Sequence, residues 1–149
     1  MKFTLLLAVD MRVGTVAHWL FPGNVDEAKF IIFINMLLAP NLAFQTPGRT
    51  RYIMYDNLSA HCTGNVQPAI AAHGHVAMLR PVHSPDFGPV EFAFSNLDMW
   101  LMRMRDSIHK HNLWAMTTLW TTTLTGAKMA GYFAKCHYPV VGREYTPYV

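Results

Sequence analysis

Two carboxylates and their neighbours are the groups in this sequence best suited to chemistry. Asp56 ends the apolar run RYIMYD, and Glu91 follows the proline-rich segment RPVHSPDFGPV. Carboxylate oxygens are hard ligands that suit Mg²⁺ or Mn²⁺. Position alone leaves a plainer interpretation open, because an acid after a strand also forms turns and a glutamate in a first helical turn also complements the helix dipole.

A strand and a helix must position these two acids. RYIMYD (51–56) has the aromatic and apolar composition of a strand, and its carboxyl end is where ligands gather in open α/β sheets. Pro89 predicts the start of a helix that runs to about Arg105, since apolar residues recur there at the helical period. Glu91 would be the third residue of that helix, where the dipole favours the ionised carboxylate.

The other predicted elements alternate between strands and helices. They are a hairpin over 2–21 that turns near Gly14, a buried helix over 25–39 ended by Pro40, a short helix ended by Gly74, a strand over 75–79, and a helix over about 110–135. This alternation predicts an α/β domain with a partly parallel sheet.

Composition sets outer limits on the class of protein. The chain of 149 residues is 52% apolar and 14% charged, which predicts a folded chain with a sizeable core. A net charge of +3 fits a nucleic-acid partner but also an ordinary slightly basic protein. Cys62 and Cys136 form no CxxC motif, which favours reduced thiols. The apolar segment FIIFINMLLAP is too short to span a bilayer, so we expect no membrane partner.

The full pattern around the acids resembles the DDE/D transposases of the Tc/mariner superfamily. Their second acid lies in a D-N-x-x-x-H stretch, and their third closes a P-x-[YH]-S-P-x-x-N-P-[IV]-E stretch about 34 residues later. Here 34 residues separate Asp56 from Glu91. The matching residues are Asp56, Asn57, His61, Pro81, Ser84, Pro85, Pro89 and Glu91.

The resemblance implies a fold and an activity. The fold would be RNase H-like, a mixed five-stranded sheet flanked by helices. The resemblance would place residues 1–110 in a partial catalytic domain and residues 111–149 in a C-terminal helix and tail of the same domain. The activity would be metal-dependent DNA cleavage and strand transfer, with Asp56 and Glu91 as catalytic and metal-binding residues for Mg²⁺ or Mn²⁺. Supporting roles would fall to Asn57, His61, Ser84, Pro85 and Pro89.

The resemblance also implies partners and a location. DNA at transposon ends would be the substrate, a homodimer would be possible, and the protein would act in the nucleus of a eukaryote or the cytoplasm of a bacterium. Four arginines are the predicted phosphate contacts, although a solvated basic face explains them as well: Arg49, Arg51, Arg103 and Arg105.

The sequence departs from the family at the first acid. In the family this acid ends a strand that precedes the hairpin, whereas this sequence begins at the hairpin, so the first strand is expected to be missing. Asp10 lies where the hairpin turns, and a turn role is favoured over metal binding. Gly88 also replaces the usual asparagine before the helix.

Whether the chain is an enzyme therefore stays open at this level. With two of three carboxylates, an impaired endonuclease is the first hypothesis, and a catalytically dead transposase remnant that at most binds nucleic acid is the second. A third hypothesis is a zinc hydrolase that uses His73, His75 and His83, but no cysteine pair accompanies these histidines.

Overall fold

The computed structural model of the protein describes residues 2–55, 64–79 and 88–136. The chain divides into two compact units. The first comprises Met1–Leu6 and Phe21–Pro85, and the second comprises Leu7–Leu20 and Asp86–Val149. These boundaries differ from the predicted ranges 1–110 and 111–149 of a single domain, and that division stays a prediction.

A hairpin opens the fold, as the sequence predicts. Strand β1 (Phe3–Asp10) pairs with strand β2 (Gly14–Pro22) across a three-residue connection. The Asp10 carboxylate closes this turn, since its Oδ1 accepts hydrogen bonds from the backbone N–H of Arg12 (2.7 Å) and of Val13 (3.2 Å). The turn role predicted for Asp10 is therefore confirmed.

The first helical segment is longer than predicted. Helix α1 (Glu27–Phe33) begins at Asp26, whose Oδ1 accepts the Lys29 N–H at 2.8 Å. It continues through a π turn (Ile34–Leu38) into helix α2 (Ala39–Gln45). The prediction that Pro40 ends the helix is wrong, because Pro40 lies in the first turn of α2, just after the π turn. In the π turn the Ala39 N–H donates to the Ile34 carbonyl, five residues earlier instead of four. A proline is tolerated in the first turn of the helix that follows.

This continuous segment, Glu27–Gln45, has 19 residues and a mean hydropathy of 1.4. By length and composition alone it could cross a membrane, so the expectation that the apolar stretch falls far short of a span is wrong. Core helices of soluble proteins pass the same test, and this segment contributes the buried residues Phe30, Phe33, Ile34, Leu38, Ala39 and Leu42.

A parallel strand pair follows in the same unit. Strand β3 (Tyr52–Tyr55) pairs with strand β4 (Val76–Leu79) in the register Tyr52↔Val76 to Tyr55↔Leu79. Helix α3 (Val66–Ala72) connects them and ends before Gly74, whose φ of +78° suits a residue without a Cβ. In the described residues the strands form two two-stranded sheets, β1–β2 and β3–β4, where the resemblance implied a single five-stranded sheet.

The second unit is mainly helical. Helix α4 (Pro89–Met104) matches the prediction, whereas the single helix expected over 110–135 is wrong. That region contains a 3₁₀ turn (Lys110–Asn112), helix α5 (Leu113–Thr123) and helix α6 (Gly126–Lys135). The hairpin turn explains the break: Gly14 bridges Thr125, and the Thr15 N–H donates to the Leu124 carbonyl at 3.1 Å.

Candidate active site

The parallel pair places two strand ends at one edge of a sheet. Because Tyr55 and Leu79 are in register, the carboxyl ends of β3 and β4 coincide. Tyr55, the last residue of β3, is buried and packs its ring against Phe30 at a centroid distance of 5.7 Å. Asp56 follows Tyr55 directly in sequence, but Asp56, Asn57 and His61 lie outside the described residues, so their predicted roles stay predictions.

Glu91 occupies the first turn of α4, as predicted. Gly88 precedes the helix with an extended backbone (φ −76°, ψ 167°), and Pro89 takes the first helical position, where no N–H is needed. The Glu91 N–H donates to the Gly88 carbonyl at 3.1 Å. Gly88 offers no side-chain cap, so the first turn of this helix relies on backbone contacts and on the Glu91 charge.

The Glu91 carboxylate is partly withdrawn from solvent. Its Oε2 atom is buried, and the adjacent Gly88 and Pro89 are buried as well. The donor chemistry fits a hard divalent cation, because Glu91 offers carboxylate oxygens at the positive end of a helix. Within the described ranges, however, no three His, Cys, Asp or Glu residues cluster as a metal site. Ser84 and Pro85 lie outside those ranges.

A contact that the sequence did not predict anchors this turn of α4. The Phe92 ring stacks on Tyr132 of α6 at a centroid distance of 5.8 Å and an interplanar angle of 19°. Lys135 Nζ lies 5.5 Å from the Phe92 centroid and 5.9 Å from that of Tyr132. Since α6 is far from α4 in sequence, no local pattern signals this pairing.

Of the predicted basic residues, Arg51 bonds to a histidine, while Arg49 is exposed in the loop before β3. The Arg51 N–H donates to Nδ1 of His75 at 3.0 Å, and Arg51 Nε donates to Thr46 Oγ1 at 3.2 Å. The pKa of His75 is lowered by burial first, and then by the charges of His73 and Arg51. The structure therefore brings Arg51, His73 and His75 together at the amino-terminal end of the parallel pair.

The other two predicted arginines lie at the far end of α4. Arg103 lies in the last turn of α4. Because a helix rises about 1.5 Å per residue, Arg103 is roughly 18 Å from Glu91 along the helix axis. Arg105 Nε lies 4.0 Å from Asp106 Oδ1, with both side chains almost fully exposed. Such an exposed pair contributes little to stability and leaves the guanidinium accessible.

The histidines proposed for zinc have other contacts in the structure. His73 Nε2 lies 2.8 Å from Asn35 Oδ1, and His75 accepts the Arg51 N–H. One ring nitrogen of each is therefore engaged, which weakens the zinc hypothesis for this pair. His83 lies outside the described residues.

Comparisons with known proteins define the class. A family model described as DDE superfamily endonuclease matches residues 1–113. The chain therefore belongs to this family, and the family predicted from the acid motif is confirmed.

Solved structures identify the fold as that of a mariner transposase catalytic domain. The catalytic domain of Mos1 mariner transposase superposes with a TM-score of 0.73 at 17% identity, over 89% of this chain and 67% of that one. The structure of the Mos1 transposase catalytic domain and raltegravir with Mn superposes with a TM-score of 0.73 at 17% identity. The match covers 89% of this chain and 68% of that chain. The Mos1 transposase in its paired-end complex with the left transposon end superposes with a TM-score of 0.72 at 16% identity. The match covers 89% of this chain and 39% of that chain. The RNase H-like α/β fold is thus confirmed.

The comparison with curated proteins gives no match.

Proposed function

We propose that this chain is a phosphoryl-transfer module that cleaves DNA strands and joins the resulting ends at a transposon. The observation that supports it is the family match over 1–113, which includes both Asp56 and Glu91. Glu91 lies in the first turn of α4, and Asp56 directly follows the end of β3. In sequence, these two residues match the second and third acids of the endonuclease motif.

Asp56 and Glu91 would hold Mg²⁺ or Mn²⁺. When bound, a metal pair supplies Lewis-acid charge to the attacking and leaving oxygens of the scissile phosphate. Glu91 would contribute its carboxylate from the first turn of α4, with one oxygen buried so that its orientation is restricted. Asn57, His61, Ser84 and Pro85 would support the two acids, and a homodimer would bring two DNA ends together.

We further propose that the 149 residues are impaired by themselves. Asp10 is committed to the hairpin turn through its bonds to Arg12 and Val13, and Asp26 caps α1 through Lys29. Neither is therefore suited to serve as the third carboxylate. With one carboxylate fewer, less negative charge offsets the metal pair, and placement of the scissile phosphate weakens.

A nicking assay tests the role of Glu91. Supercoiled DNA is incubated with Mn²⁺ and with the unmodified chain, Glu91→Gln or Asp98→Asn. Asp98 is an exposed acid on the same helix, so it controls for the loss of one charge on α4. Glu91→Gln should lower nicking by about 100-fold or more, as loss of one transition-state contact does elsewhere, whereas Asp98→Asn should not change it. Equal activity in all three would remove Glu91 from the active site.

The second candidate function is nucleic-acid binding without cleavage. It is favoured by the structural contacts of Asp10 and Asp26, which hold these two acids in a turn and in a helix cap. In this case the chain binds DNA in EDTA with an affinity that falls steeply with salt, and no nicking appears in Mn²⁺. Absence of binding at low ionic strength would contradict it.

A further inference from the structure

A basic pocket lies at the amino-terminal ends of the parallel strands. It encloses about 330 Å³ between the end of α2, the loop before β3 and the turn between α3 and β4. Thr46, Gly48, Arg49, His73 and His75 contribute to its lining. Since β3 starts at Tyr52 and β4 at Val76, the pocket lies at the sheet edge opposite to the one that precedes Asp56.

The pocket carries positive charge without an acid in its lining. Arg49 is exposed, and its backbone N–H bonds to the Thr46 carbonyl at 3.3 Å, which fixes the loop and leaves the guanidinium to solvent. Arg51 contacts one lining residue, with its Nε 3.2 Å from Thr46 Oγ1. None of the residues that line the pocket, all within the described ranges, is Asp or Glu.

A hydrogen bond within the pocket also leaves one donor on His75 for an anion. Nδ1 of His75 accepts the Arg51 N–H, so in the neutral ring the proton is on Nε2, which is a donor. Gly48 and Gly74 have φ values of +71° and +78°, and a Cβ at either position would meet no atom within 4 Å. The backbone of both turns is therefore open to close approach by a ligand. A guanidinium, an imidazole donor and open backbone together match a phosphate group.

We propose that this basic pocket binds a backbone phosphate of DNA, at a site separate from the sheet edge that precedes Asp56. The proposal rests on the proposed function for the identity of the ligand, because a DNA substrate supplies phosphates along its whole length. Arg49 provides the main charge, and His75 adds a donor. The pocket positions the nucleic acid and makes no contact with the scissile phosphate.

Matched arginine variants test the pocket. Binding of a fluorescent 20-base-pair duplex is measured by anisotropy in EDTA from 50 to 300 mM salt, for the unmodified chain, Arg49→Ala and Arg12→Ala. Arg12 is an exposed arginine in the hairpin turn, so its loss changes the net charge equally. Arg49→Ala should weaken binding by about 5- to 10-fold at 0.1 M salt and reduce the slope of log K against log salt by about one, while Arg12→Ala leaves both nearly unchanged.

NMR spectra of the histidine rings locate the effect. Inorganic phosphate and the duplex should each shift the His73 and His75 signals, more than chloride at the same ionic strength does, and Arg49→Ala should abolish the shifts. Equal losses in Arg49→Ala and Arg12→Ala would overturn the proposal in favour of unspecific charge. Shifts with phosphate but none with DNA would overturn it in favour of a free-anion site.

The two proposals fail separately. Binding is measured without divalent metal, and the same titration is repeated on Glu91→Gln. If Glu91→Gln nicks DNA like the unmodified chain, the active-site assignment fails while the Arg49 result still decides the pocket. If Arg49→Ala binds DNA normally but Glu91→Gln abolishes nicking, the pocket fails and the proposed active site stands.

Discussion

At the residue scale, the position of Glu91 follows from three consecutive residue types. Gly88 takes the extended backbone that precedes a helix, Pro89 fits the first helical position, and Glu91 then meets the positive end of the dipole. Each preference is local, which is why the sequence predicted the start of α4 correctly. The buried state of Glu91 Oε2 is not local, because it depends on the surrounding packing.

His75 makes the stability of the first unit depend on pH. Its pKa is lowered in the folded chain, by burial and by the charges of His73 and Arg51, whereas the unfolded chain titrates near the ordinary value of 6.5. The unfolded state therefore binds the proton first as pH falls. Stability should be complete above about pH 6.5 and should decline below it, as protonation also breaks the bond from the Arg51 N–H.

Urea denaturation at pH 7.5 and pH 5.5 checks this expectation. The midpoint should fall on acidification, and it should fall less in His75→Asn, which cannot be protonated. His111→Asn, at an exposed position in the 3₁₀ turn, should leave the decline unchanged. A decline of the same size in His75→Asn would show that another group controls it, with His18 the next to test, because burial also lowers its pKa.

At the element scale, the hairpin turn and the α5–α6 junction require each other. Gly14 has a φ of +91°, and a Cβ there would collide with the Leu124 carbonyl oxygen. Gly14→Ala should therefore cost about 2 kcal/mol or more, from both the backbone conformation and the collision. Gly23 has a φ of +90° but its nearest atom would be Lys29 Nζ at 3.9 Å, so Gly23→Ala should cost only about 1 kcal/mol. Thermal unfolding of both variants measures the difference, and equal losses would contradict the collision.

Trp120 joins α5 to α4 through a partly buried hydrogen bond. Its side chain is fully buried, and its Nε1–H donates to Asn96 Oδ1 at 3.0 Å. Asn96→Ala should cost about 1–3 kcal/mol because the indole N–H loses its acceptor in a buried place. In a Trp120→Phe background the same change should cost less, because phenylalanine has no N–H. A double-mutant cycle from urea denaturation measures this coupling, and additive losses would exclude it.

At the scale of the whole molecule, the second unit depends on residues beyond the predicted boundary at 110. Its buried residues include Trp120, Leu124 and Met129, which α5, α6 and the junction between them contribute. A fragment of residues 1–113 matches the family model but lacks all three. We expect it to lose the protection of α4 amides in hydrogen exchange, whereas a chain ending at Cys136 should keep it. Protected α4 amides in the short fragment would show that α4 is held by other contacts.

Much of the fold and part of the site could be read from local patterns. The hairpin, α4, the strands around α3 and the turn role of Asp10 follow from apolar periodicity and from glycine, proline and aspartate preferences. Where the sequence failed, a distant contact or a wider backbone geometry decided the result. The π turn lets the helix pass Pro40, and the hairpin turn divides the expected 110–135 helix at Leu124.

The amino-acid sequence by itself determined the family and the placement of Glu91, because a motif of acids, prolines and a serine at fixed spacing is a local property. Only the tertiary structure decided which basic residue bonds to a histidine and which ring stacks on Phe92, the neighbour of Glu91 in sequence. Arg51 meets His75, and Phe92 meets Tyr132, across 24 and 40 positions of sequence. Such pairings depend on how strands register and helices pack, which no short-range periodicity encodes.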